Sequence, residues 1–385
     1  MDKLQKVANY CFYLALTIEM VLVVLERSIY VIQYSGQWFR LTFVLFLFKV
    51  MLTKYSRREL LAIFFFAVLG VISYLNTGSN LVLRAVFLIA ACKGVTDDKT
   101  FKLIFSILAA GVAICIALSF FGIGIFKITT DFRGTGVETR YCLGLGHPNT
   151  LHGMIWIAIT AGIYAFRDKI KLWHLGLIMA LNLGVYIISV SRTSFVLISL
   201  EILLCIIAKY KGKMFELGLT RVLVVMLLAF GLLFTCIVMY PPIYYPYLNV
   251  LDSHISGRIM ATYFIGPECT WWKMLPFSVY GREPASDLGI AKLIGWVGYI
   301  PTLVFLVAHY FTFICMKNKK DYIGISVLLV VFISCITESH IISLYIGTGL
   351  TIFLFGKYWT DIISSENEKE FYFIELINKG IKKAG

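Results

Sequence analysis

Apolar runs of 16 to 26 residues, parted by short polar turns, fill most of this chain, near 7–25, 38–53, 60–76, 80–95, 101–123, 148–166, 171–190, 193–209, 219–240, 290–315, 321–338 and 341–357. As helices rising about 1.5 Å per residue, such runs cross or nearly cross a hydrocarbon layer roughly 30 Å thick. The pattern predicts an all-α polytopic membrane protein of about 12 transmembrane helices. Two segments break the rhythm of short turns: 124–147, and 241–289 between the ninth and tenth runs, the largest non-membrane stretch. After Trp359 the chain turns polar, then sets Ile374, Ile377 and Ile381 on one helical face beside Lys379, Lys382 and Lys383. That spacing suits a short helix on a membrane surface. The expected organisation is one membrane domain, 1–360, and an amphipathic cytoplasmic tail, 361–385.

Composition agrees: 59% of the 385 residues are hydrophobic and the mean hydropathy is +0.83, outside the range of a soluble domain. Charge supplies the orientation. Lys54, Arg57 and Arg58, then Lys209, Lys211 and Lys213, then Lys317, Lys319 and Lys320 mark one set of turns, and the alternate turns are basic-poor, with none at 76–80. This is the positive-inside pattern. It places both termini in the cytoplasm and the protein in the cytoplasmic membrane. The net charge of +13 is then a matter of topology and implies no nucleic-acid partner. The first run holds Glu19 and is followed by no small-residue cleavage site, so it reads as a retained helix.

The outer basic residues differ in kind from the inner ones. They are Arg27, Arg40, Arg133, Arg140, Arg192, Arg258 and Arg282 against only Lys127, Lys273 and Lys292. Lysine suffices to hold loops inside, whereas planar two-pronged grip on phosphate is arginine chemistry. Five outer constellations carry candidate chemistry. The segment 140–153 sets Arg140, His147 and Asn149 around Gly144, Gly146 and Pro148, just where a helix begins; helix N-termini favour anions. Ser191, Arg192 and Thr193 form a tight hinge between two apolar runs, and Gly257 precedes Arg258 in the large loop, near Asp252 and His254. Arg282 lies in the same loop; Ser286 and Asp287 precede the tenth run, and Glu338, Ser339 and His340 form the last outer turn. Each carboxylate or imidazole there is a candidate base. The nine cysteines lack metal-ligand spacing, and only Cys142 and Cys269, both on outer segments, suggest a pairing. No metal or cofactor motif is present, so none is expected. Glu19 and Glu201 lie within runs, where ion coupling in a transporter is the alternative to simple satisfaction by neighbouring helices.

Taken in order, an arginine six residues before Gly146, His147, Pro148 and Asn149, the Ser191–Thr193 hinge, Ser256-Gly257-Arg258, Asp287 eleven residues before Gly298, and Glu338 resemble the Wzy-type polysaccharide polymerases of the wider O-antigen ligase-like group. The resemblance runs from about 60 to 355. It implies a GT-C-like membrane glycosyltransferase that moves an undecaprenyl-diphosphate-linked oligosaccharide, on the outer face, onto the sugar hydroxyl of another lipid-linked unit. It further implies a chain-length regulator and a flippase as partners of the same pathway. By position, Arg192 and Arg258 match the paired arginines assigned to the diphosphate, with Asp287 joining them as the third candidate catalytic residue. The candidate substrate-binding set is Arg140, His147, Asn149, Arg282, Glu338 and His340. Where the ligases carry histidine ahead of the glycine, this chain has Asp287, a departure that separates it from that subgroup. A ligase-like transferase, or a lipid-linked oligosaccharide flippase or secondary transporter, is the alternative.

The orientation is testable. In a cysteine-depleted background, Glu283→Cys is expected to react with an impermeant maleimide applied outside intact spheroplasts, and Lys213→Cys to be protected. The opposite labelling inverts the topology.

Overall fold

The computed structural model describes residues 3–28, 35–131, 137–239, 245–254, 257–263, 286–338, 348–364 and 368–372. Helices fall in every one of the twelve apolar runs: α1 (Lys3–Arg27), α2 (Ser35–Met51), α3 (Arg57–Thr77), α4 (Leu81–Ala91), α5 (Asp97–Phe120), α6 (Pro148–Ala165), α7 (Leu172–Ser189), α8 (Arg192–Lys211), α9 (Gly218–Met239), then α12 (Gly289–Val297) with α13 (Tyr299–Asn318), α14 (Tyr322–Thr337) and α15 (Thr348–Ile363). Seven described helices, α1, α3, α5, α7, α8 (with the 3-10 turn that follows it), α9 and α13, are long and apolar enough to cross a membrane. The chain is therefore a helical, multi-pass membrane protein. Leu61, Phe64 and Leu75 of α3, Leu177 and Ile187 of α7, and Met226 and Leu233 of α9 are all exposed, as side chains facing lipid are.

Three features add to the pattern read from the sequence. The tenth run is two helices, because Gly298 adopts φ 96° and ψ 174° and ends α12 as α13 begins; a residue with a β-carbon is strained there. The outer segments are not plain loops: 124–147 holds a hairpin of β2 (Lys127–Asp131) and β3 (Val137–Tyr141), and 241–289 holds α10 (Tyr245–His254) and α11 (Arg258–Tyr263). The described part of the tail is a strand, β4 (Glu370–Tyr372), antiparallel to β1 (Lys54–Ser56). The proposed helix around Ile374, Ile377 and Ile381 lies outside the described residues, as does Cys269. Cys142 is buried with a free thiol.

The helix ends sort to two faces. At one face β1 leads into α3 through a capping box, the Ser56 hydroxyl accepting from the Glu59 amide while Glu59 accepts from that of Ser56; this satisfies two otherwise orphaned donors. Lys93 pairs with Glu59 and Glu370, Arg167 with Asp98, and Lys319 with Asp361 at this same end. Asp321 caps α14 and accepts from Tyr358 (2.7 Å), Tyr164 (2.8 Å) and Lys357 (3.2 Å). Between the faces, α6 is the central helix, with Trp156 and Tyr164 buried among α5, α8 and α14. A second apolar cluster, built from Met239, Ile259, Leu288, Ile290, Ile294 and Cys335 among others, ties the ends of α9 and α14 to α11 and α12 at the opposite face.

Burial alone would raise the Asp321 carboxyl, but Lys357 and the hydrogen bonds from Tyr358, Tyr164 and the Gly324 amide outweigh it and hold the pKa below the ordinary value. A depressed acid stabilises the fold above its unfolded pKa of about 4 and loses that contribution as pH falls from there through the lower folded pKa. Asp321→Asn is therefore expected to cost about 1–3 kcal/mol at neutral pH. It is also expected to flatten the acid limb of the thermal stability measured in detergent between about pH 5 and 3.

Candidate active site

The β2–β3 hairpin delivers Arg140 to the bundle. Gly144, at φ 84°, brings the following strand end so close to α5 that an added β-carbon would sit 2.5 Å from the Cys115 carbonyl oxygen. Arg140 is 3% exposed. Its Nε donates to the Ser189 carbonyl (2.8 Å), and its Nη2 donates to Asn149 Oδ1 (2.7 Å) and more weakly to the Val190 carbonyl (3.4 Å). Arg140, a candidate for substrate binding, is buried and tied to the α7–α8 turn and to Asn149. That turn is strained: Val190 is β-branched and sits at φ 50°, a conformation such residues seldom adopt. The strain has a use, since the clamped turn leads directly into Arg192, the first residue of α8. Arg192 is exposed and has no hydrogen-bond or ion-pair partner among the described residues.

His147 caps α6, its Nδ1 accepting from the Asn149 amide at 3.1 Å. Pro148 follows, where its missing N–H costs nothing. Asn149 thus serves both the cap and Arg140. Burial lowers the His147 pKa, the neighbouring Arg140 lowers it further, and Asp287 opposes both. Asp287 is exposed, and the α12 N-cap belongs to Leu288, so Asp287 is not the helix cap. Ser286 beside it accepts from the Leu288 amide (3.0 Å) and bonds Thr262 Oγ1 (2.7 Å). Thr262 stands one turn along α11 from Arg258 and donates to the carbonyl oxygen of Arg258.

Arg258 itself reaches the end of α14. Its Nη1 donates to the Thr337 carbonyl and its Nη2 to Glu338 Oε1 at 2.9 Å. Asp252 closes this corner, its carboxylate accepting from the Ile259 and Met260 amides at 2.8 and 3.2 Å. Four distant chain segments therefore bring polar groups to this part of the fold, with hydrogen bonds joining His147 to Asn149, Ser286 to Thr262, and Arg258 to Glu338. The Thr262–Ser286 bridge carries no sequence signal, because two hydroxyls look like any others. Arg133, Arg282 and His340 lie outside the described residues, and so does the His254 side chain. Glu19 and Glu201, the intramembrane carboxylates, find donors on other helices: Glu19 pairs with Arg84 (3.0 Å) and accepts from Thr42, and Glu201 accepts from Trp156 and Thr160. Among the described residues no three His, Cys, Asp or Glu side chains converge on a point that would hold a metal.

One large apolar crevice, of about 420 Å³, lies between α3, α4, α13 and α15. Its walls include Phe66, Val86, Val304, Phe311 and Phe355, and it reaches Leu293 and Val297 of α12. No family model, curated protein or solved structure matches the chain.

The proximity of Asp287 to His147 has a measurable consequence. Asp287→Asn removes a charge that raises the His147 pKa, so the imidazole is expected to titrate at lower pH than in the wild type. Nitrogen-15 histidine spectra, assigned with His147→Gln, measure this; an unmoved midpoint separates the two residues.

Proposed function

We propose that the protein is a membrane glycosyltransferase of the polysaccharide-polymerase type, joining undecaprenyl-diphosphate-linked oligosaccharide units on the extracytoplasmic face. What carries this reading is the Arg258–Glu338 pair at one face of an apolar bundle, with Arg192 at the start of α8 and Asp287 just ahead of α12 as further charged groups at helix ends. The reaction needs those parts. An acceptor hydroxyl attacks the anomeric carbon of the donor sugar. The bond from that carbon to the diphosphate oxygen breaks, and its electron pair leaves with the lipid diphosphate. Guanidinium groups fixed in advance stabilise that developing charge with no nucleotide or metal. Asp287, exposed beside His147, takes the hydroxyl proton or orients it. The apolar crevice bordering α12 supplies a path for a stretch of the polyprenyl tail.

In this reading the chain has about 12 transmembrane helices, with α12 and α13 sharing the tenth crossing, both termini cytoplasmic, and a flippase and chain-length regulator as pathway partners. The resemblance to Wzy-type polymerases supports the same assignment. A ligase-like transfer shares every step except the acceptor. A flippase or transporter gains no support from Glu19 and Glu201, which serve as acceptors within the helix packing.

Incubating purified protein with a lipid-linked repeat unit is expected to give a ladder of lengths, in excess EDTA as well as without it. Arg192→Lys and Arg258→Lys keep the charge but lose the two-pronged grip. Each is expected to slow polymerisation about ten- to a hundredfold, the loss of roughly 1.5–3 kcal/mol from a charged hydrogen bond. Asp287→Asn is expected to cost at least about tenfold in turnover, or about 1.4 kcal/mol. Normal rates in both lysine variants remove the diphosphate role, and EDTA inhibition reversed by magnesium or manganese removes the metal-free mechanism.

A further inference from the structure

The Arg258–Glu338 contact has more in it than an ion pair. Glu338 is the C-cap of α14, with its amide bonded to the Ser334 carbonyl. A helix C-terminus carries partial negative charge and is a poor place for a carboxylate. Arg258 is what makes the place tolerable, because it binds the Thr337 carbonyl and the Glu338 carboxylate together. The two side chains are 15% and 14% exposed, so the pair is neither sealed in the core nor screened as a surface pair is. A guanidinium has five N–H donors, and only two bonds from that of Arg258 are formed with described residues. The guanidinium thus keeps donors that form no bond with the described residues and could meet an anion. The amides at the start of α11 are not an alternative landing point, since Asp252 already occupies them.

We propose that Glu338 is a built-in competitor for the diphosphate of the lipid-linked substrate: it holds Arg258 in position, yields it to the incoming diphosphate, and takes it back as the diphosphate product leaves. This rests on the reading of Arg258 as a diphosphate ligand, and it changes the place of Glu338 from a residue touching substrate to one acting through Arg258. A dianionic or trianionic diphosphate outbids one carboxylate for the guanidinium, and its several oxygens suit the unused donors. After transfer the product is still a lipid diphosphate and binds by the same contacts. A tethered carboxylate at high local concentration then favours release, whereas without it the product lingers.

The test uses the full chain in nanodiscs with undecaprenyl diphosphate as the probe, comparing wild type, Glu338→Gln, Glu338→Asp and the double variant Arg258→Gln/Glu338→Gln against Arg258→Gln alone. Glu338→Gln is expected to bind the probe about three- to tenfold tighter, to release it more slowly, and to lower KM and kcat together in the ladder assay. Glu338→Asp, with a shorter reach, is expected to fall between. In the Arg258→Gln background the Glu338 change is expected to have no effect on binding, which marks the coupling as passing through that arginine. A merely structural role predicts the reverse, weaker binding and higher KM in a less stable protein. Unchanged or weaker binding in a stably folded Glu338→Gln or Glu338→Asp variant overturns the proposal, as does failure of every form to bind. Wild type that binds the probe, shows the Glu338 effect and makes no ladder removes the polymerase reading while leaving the exchange at Arg258 intact; a ladder with no Glu338 effect on binding does the opposite.

Discussion

Hydrocarbon offers no hydrogen bonds, and the rest of this structure follows from that. Inside a bilayer each backbone group must be satisfied by its own helix, and each side-chain charge by a neighbour, because an unpaired polar group there costs several kcal/mol. The few charges that do lie within the bundle meet this in part, one oxygen each of Glu19 and Glu201 being left without a hydrogen bond among the described residues. Arg84 answers Glu19, and Lys49 donates to Thr53 Oγ1 and to the Lys93 carbonyl. The remaining ionic contacts are pushed to the two faces, and there they differ in character. One face is closed by ion pairs linking loops to helix ends, with Lys93, Arg167, Lys357 and Asp321 all engaged. The opposite face has an exposed Arg192 and a partly open Arg258. Structural electrostatics at one end and available electrostatics at the other are what make a single face the candidate for chemistry.

That face is built from elements too small to span the membrane. The hairpin, α10, α11 and the nine-residue α12 are each shorter than the crossing helices, and none would persist alone. They are held by the satellite apolar cluster around Ile259, Leu288, Ile290 and Ile294 and by Arg140. A site on such supports is placed by tertiary packing, which joins side chains 24 residues apart at Thr262–Ser286 and 80 apart at Arg258–Glu338.

Much of the bundle was legible in the sequence because hydropathy averaged over a helix length is a strong signal, and all twelve apolar runs contain helix. The same averaging hides Gly298, since one glycine barely lowers the mean of a 26-residue run, yet it splits that run in two. It also hides length: α4 has 11 residues and α14 and α15 have 16 each. At the site, charge was legible but burial was not. Arg140, Arg192 and Arg258 look alike in the sequence. One is a buried clamp on carbonyls 49 and 50 residues away, one is free of polar contacts among the described residues, and one is paired across 80 residues. Asp287 sits where a helix cap belongs, and only the backbone assigns that place to Leu288. The glycines around 144 and 146 and the proline at 148 did announce the local geometry, because their backbone preferences are intrinsic.

The pairing of Arg258 with a residue 80 positions later also has a bearing on how the protein is made. Ribosomes add about 5–20 residues per second, so Arg258 emerges roughly 4–16 s before Glu338 exists, and α14 must still be inserted after that. Arg140 waits in the same way, for a shorter time, for the α7–α8 turn. Through that interval the Arg258 guanidinium lacks the carboxylate that pairs with it in the finished fold. The last helices to enter the membrane therefore supply more than hydrophobic bulk: the end of α14 brings the carboxylate that answers a guanidinium laid down 80 residues earlier.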